Sequence, residues 1–196
     1  MASQVQICNI ALGNIGGKAS ISSITENSRE AIACNRVYVV CTRALLRSHE
    51  WSFSKAYYTL NDLGSPPTFW DYRYSYPAEC LKVRKILPAA ETDDPVHFEV
   101  AAGDTSSTRV ILTDQEDAEM CFTKDMDDPV QYPDDFILTL AWSIAASISL
   151  PLSGDRHLQT QAYQAYLAHL SSSTASDGGE ATWQQRGAPD WISVRA

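Results

Sequence analysis

Carboxylates are the side chains whose grouping in this chain could do chemistry. Asp93-Asp94 and Asp127-Asp128 are adjacent acid pairs, and Asp114, Glu116, Asp117 and Glu119 form a denser cluster. Two carboxylates serve a glycoside hydrolase as acid and nucleophile when they stand across a cleft at a defined separation. Both Asp pairs are followed at once by proline, Pro95 and Pro129, a context that makes turns. The cluster at 114–119 has the composition of a calcium loop but lacks the glycine and terminal glutamate of one, so it reads as a solvated turn. His49, His97, His157 and His169 show neither an HExxH pattern nor metal-ligand spacing. No serine or cysteine has an evident base beside it. His49, close to Trp51, is expected to cap or pack at a helix C-terminus. These residues call for no catalytic group, no metal and no cofactor.

Cys8, Cys34, Cys41, Cys80 and Cys121 are an odd set without close pairs. Cys34 and Cys41 stand about 10 Å apart along a helix, too far to bridge. Cys8 and Cys34 fall on apolar helix faces, where a free thiol behaves as a small hydrophobe. A reducing cytoplasm is the compartment this usage suggests.

The elements that must position such groups follow from periodicity. A first helix is expected over residues 2–13, with Val5, Cys8, Leu12 and Ile15 on one stripe and Gly16-Gly17 as its end. From Asn27, with Glu30 in a capping-box relation, a long amphipathic helix places Ala31, Cys34, Tyr38, Cys41 and Leu45 on one face. Arg29, Arg36, Arg43 and Arg47 decorate the others. At Trp51 the pattern switches to strand. Trp70, Tyr72, Tyr74 and Tyr76 alternate with polar residues, and short strands follow near 81–87, 96–100, 109–112 and 120–122. Helix returns at Pro133-Asp134-Asp135, with Phe136, Leu140, Ile144 and Ile148 as a stripe ended by Pro151 and Gly154. Its apolar run is short for a membrane span and reads as a buried helix. A fourth helix is expected over 155–171, then a small-residue linker over 171–179 and a tail.

The expected fold class is therefore α+β: a four-helix unit from both ends of the chain, with a small antiparallel β-sheet inserted and an extended C-terminal arm. Its divisions are 1–50 with 133–175 for the helical bundle, 51–132 for the β subdomain, and 176–196 for linker and arm. The chain has 196 residues and a formal net charge of −9, which disfavours broad neutralisation of nucleic-acid phosphates.

Several segments together resemble the tail tubular protein A, or head-to-tail adaptor, family of short-tailed bacteriophages. They are Ile7-Cys-Asn-Ile-Ala-Leu-Gly-Asn-Ile15 followed by Ile24, Arg43-Ala-Leu-Leu-Arg47-Ser-His-Glu-Trp51-Ser-Phe53, and Trp70-Asp-Tyr-Arg-Tyr74-Ser-Tyr-Pro77-Ala-Glu-Cys80-Leu81-Lys-Val83. Pro133-x-x-Phe136 with Ala141, Ala145 and Ala146, and Trp191-Ile-Ser-Val-Arg195, complete the set. Each is mainly core chemistry; their order and spacing carry the resemblance, which spans nearly the whole chain.

The resemblance implies a structural virion protein at the head–tail junction, assembled in the bacterial host cytoplasm. Its partners would be the portal, a tail nozzle protein of the tail tubular protein B kind, and tail fibres. It would form a homo-oligomeric, dodecameric ring through which genomic DNA passes without specific binding, and it would touch no membrane. Arg36, Arg43 and Arg47 are candidates for portal or subunit contact, as are Trp183, Arg186, Trp191, Ile192 and Arg195 of the arm, because apolar anchors and arginine are favoured at interfaces. Asp93, Asp94, Asp114, Glu116, Asp117 and Glu119 are channel-lining candidates. A tail-borne cell-wall glycan hydrolase built on the Asp pairs is the competing expectation.

Overall fold

A computed structural model describes residues 2–17, 20–88, 95–104 and 108–180. The architecture is mixed α+β, with four helices and two small antiparallel sheets. Helix α1 (Gln4–Asn14) begins at Ser3, whose hydroxyl accepts from Gln6 N while the Gln6 side chain accepts from Ser3 N. That reciprocal pair satisfies two amides that the helix leaves open. It ends where Gly17 N donates to Leu12 O at 3.0 Å, with Gly16 at φ 72°. Only glycine enters that region without strain.

Helix α2 (Arg29–Ser48) buries the expected face of Ala31, Cys34, Tyr38, Cys41 and Leu45. Its cap differs from the expected Asn27–Glu30 box. Ser28 accepts from Ala31 N at 3.2 Å and donates its hydroxyl to Glu26 at 2.7 Å. Glu26 also accepts from the amides of Ser22 and Ser23. Those bonds, from Ser28 first and then Ser22, hold the Glu26 carboxyl down to about 2. The Asn9 side chain, from α1, bonds both backbone groups of Ile21 and so ties this approach segment down.

Trp51 does not start a strand. It lies 1% exposed, and a 3-10 turn, Ser52–Ser54, follows before β1 (Lys55–Thr59) begins. Its indole N–H donates to Leu45 O at 2.9 Å and its ring meets Phe136 edge-on at 5.1 Å. A large aromatic with its one donor satisfied is worth more in the core than on a sheet face.

The β region is two sheets rather than one. β1, β6 (Glu119–Lys124) and β3 (Cys80–Leu87) form the order β1-β6-β3, while β2 (Tyr72–Ser75), β5 (Arg109–Thr113) and β4 (Phe98–Ala102) form β2-β5-β4. Tyr74 and Ile111 from one sheet share a core with Val83, Ile86, Met120 and Phe122 from the other. A sheet of three strands has one apolar face to cover, and a second sheet covers it. The aromatic ladder is partly this core: Tyr74 is 2% exposed and stacks with Tyr72, while Trp70 sits before the strand.

Helix α3 (Asp134–Ser153) is central, packing against α1, α2 and α4 (Arg156–Glu180). It is long and apolar enough to cross a membrane by length and composition, yet Phe136, Leu140, Ile144 and Ile148 are buried against those neighbours. It runs through Pro151 to a cap at Gly154, φ 72°. Near its last turn, proline removes only one ladder bond.

Helix α4 overturns the linker expected over 171–179, and with it the start of the arm at 176. The helix continues to Glu180. Ser173 bonds Thr139 at 2.8 Å, and Asp177 is 8% exposed with three bonds to the turn after α2. Small residues here are a packing face, not a flexible spacer.

Candidate interaction surface

The C-terminus of α2 is where the helical unit meets the β subdomain, and its open carbonyls need partners. Arg84, on β3, supplies them. Its guanidinium donates to Leu46 O at 3.1 Å and to His49 O, and its Nε donates to Thr123 Oγ1 at 2.7 Å. Burial pulls the Arg84 guanidinium below its ordinary range, and Glu50 opposes that pull. Two of the candidate interface arginines are drawn into the same junction. Arg43 pairs with Asp125 at 2.6 Å, and Arg47 donates to Leu81 O. Arg36, seven positions before Arg43 and so on the same side of α2, is exposed.

On the other side of the junction, Asp177 accepts from Ser52 N at 2.9 Å and lies 3.1 Å from His49 Nε2. His49 is the residue that caps α2, and it packs edge-on against Trp51 at 5.1 Å. The expected capping and packing role fits, and its carboxylate partner lies 128 positions away along the chain, beyond sequence reading.

Helix α2 also exposes an apolar face. Ile32, Val39 and Val40 are 47%, 52% and 68% exposed, on the side that carries Arg29 and Arg36. Neither arginine has a hydrogen bond or ion pair among the described residues. β-Branched residues off the buried stripe were the signal available in the sequence. A second apolar feature lies between α1 and α3, a groove of about 460 Å³ lined by Gln6, Asn9, Ile10, Ile137, Leu138 and Asp134. Ile10 and Leu138 are 37% and 44% exposed there, and Asp134 is exposed at its rim.

The acidic turn of 114–117 joins β5 to β6, crossing from one sheet to the other. Asp114, Glu116, Asp117 and Glu119 are all exposed. Asp114 accepts from Asp71 N at 3.1 Å, and Tyr74 donates its hydroxyl to Gln115 O at 2.9 Å. The turn is therefore fastened, with its carboxylates outward. Asp128 caps a short turn by accepting from Val130 N at 3.0 Å, so it is occupied in local structure. A cleft of about 490 Å³ between the strands is lined by Tyr76, Asp104 and Arg109, among others. Asp104 is paired with Arg73 at 2.9 Å, and Arg109 lies 3.9 Å over the Tyr76 ring. Among the described residues lining it there is no second carboxylate to complete a hydrolytic pair.

Asp93 and Asp94 lie outside the described residues, as do Trp183, Arg186, Trp191, Ile192 and Arg195. Cys8 and Cys34, far apart in sequence, are both in the core, and the neighbouring Cys34 thiol together with burial pushes the Cys8 thiol up. Compared with protein-family models and with curated proteins, the chain matches none.

Proposed function

We propose that this chain is a structural virion protein, a head-to-tail adaptor that docks as a ring under the portal of a short-tailed bacteriophage. In this role it extends the DNA channel and offers a platform to the tail nozzle and fibres. The observation that carries the reading is the α2 face: Ile32, Val39 and Val40 stand exposed beside the unpaired Arg29 and Arg36. Apolar side chains framed by arginine mark protein contact rather than catalysis. The segments that resemble the adaptor family supply the partner class. Arg43 and Arg47 serve this reading indirectly, by fixing the angle between the helical unit and the β subdomain. The fastened acidic turn of 114–119 suits a lumen that repels DNA phosphates.

The test is purified protein mixed with purified portal, followed by gradient sedimentation and cryo-electron microscopy. The expected result is co-migration and an added ring of density on the portal's tail-facing side. Failure to co-migrate over a range of ionic strengths removes the proposal.

A further inference from the structure

We infer that the exposed face of α2 docks on the groove between α1 and α3 of a second copy of this chain. The inference rests on the adaptor reading only for its setting; the two surfaces are matched by their own chemistry. The α2 face offers Ile32 and Val40 with the cationic Arg36, and the groove offers Ile10 and Leu138 with the anionic Asp134. Arg36 and Asp134 are both exposed, and neither has an ion pair or hydrogen bond among the described residues.

A groove between two helices is also a surface that a helix can fill. Two adjacent helices leave a furrow between them, and a third helix lays side chains spaced by three, four and seven residues into it. Ile32, Arg36, Val39 and Val40 have that spacing. The α2 face and the groove share no residue, so a copy can use both at once. A contact between unlike patches is head-to-tail, and when its rotation closes it generates a ring. An isologous α2–α2 contact would instead bring Arg29 and Arg36 of both copies together, like charge on like.

The experiment is sedimentation equilibrium of the full chain up to about 1 mM, with helical content checked by circular dichroism for every variant. Wild type is expected to self-associate weakly, and Arg36→Asp and Asp134→Arg are each expected to raise the dissociation constant at least tenfold. Asp134→Arg is the sharper arm. It makes an acidic chain less acidic, so simple net repulsion would have it associate more strongly. An equimolar mixture of the two variants should associate again, because each then meets an opposite charge on its neighbour. Val40→Asp, at a position 68% exposed and so free of folding duties, should also abolish association.

Association unchanged by the swaps, strengthened by Asp134→Arg, or absent in wild type up to that concentration overturns the inference. An effect of Arg36→Asp without one of Asp134→Arg sets the α2 face against some other surface of the neighbouring copy, and also overturns it. Portal loading without this self-contact leaves the adaptor role standing, whereas self-contact without portal loading does the reverse.

Discussion

Arg84 shows what one side chain does at a junction. Its guanidinium reaches three carbonyls at the end of α2, those of Leu46, Arg47 and the cap residue His49, and one threonine hydroxyl of β6. Hydrogen bonds from a charged donor contribute about 1.5–3 kcal/mol, and removing the donor leaves carbonyls short of partners. Arg84→Ala is expected to lower stability by about 2 kcal/mol in urea unfolding, and Arg84→Lys to recover less than half, because an ammonium lacks the planar fork. Full stability in the alanine variant would show that water replaces the cap. Glu26 gives a pH signature. Its carboxyl is held from 4.5 down to about 2, so its contribution is fully present above 4.5 and is lost as pH falls toward 2. Glu26→Gln should flatten the fall of the urea midpoint across that window. The five free cysteines are all buried, so a thiol reagent should react with native protein only at the rate of unfolding.

At the scale of elements, α4 is the one whose end matters. Asp177 accepts from Ser52 N and meets His49, and Ser173 bonds Thr139 on α3. Truncation after residue 170 removes both anchors and should cost several kcal/mol, whereas truncation before Gly178 keeps them and should leave the melting temperature nearly unchanged. Asp177→Ala alone is expected to cost about 1–3 kcal/mol, the amount for orphaning a buried donor. Equal melting temperatures for the two truncations would return the 171–179 segment to the status of a linker. The two sheets behave alike. Each has one face against the shared core, so the acidic turn that crosses between them is held at both ends.

For the whole molecule, a net charge of −9 opposes crowding many copies into a ring, so the free protein is expected to be monomeric or weakly associated and to close into a ring only on a portal. Light scattering of portal-free protein checks this; a stable ring at low salt contradicts it. If the 114–119 turn faces the channel, replacing Asp114, Glu116, Asp117 and Glu119 with lysine should slow DNA ejection from assembled virions without preventing assembly. Unchanged ejection kinetics would take the turn out of the lumen.

Much of this protein was written locally. The apolar stripe from Ala31 to Leu45, the alternation around Tyr74, the double glycine after Ile15 and the Pro-Asp-Asp start of α3 each depend on neighbours a few positions away. Local periodicity and turn chemistry therefore place all four helices, the last of them ended too early, and most strands. The α+β class follows from their order. Other features depended on residues that only the tertiary structure brings together. Ser171–Gly179 reads as a linker until Thr139 and Ser52 stand opposite Ser173 and Asp177 and their bonds stabilise the helix. Trp51 reads as a strand start until Phe136 and the Leu45 carbonyl give its ring and its N–H a place. Arg43 and Arg47 read as surface charges until Asp125 and Leu81 meet them. The groove between α1 and α3 has no local signature at all, because a furrow belongs to two helices and exists only once they are packed.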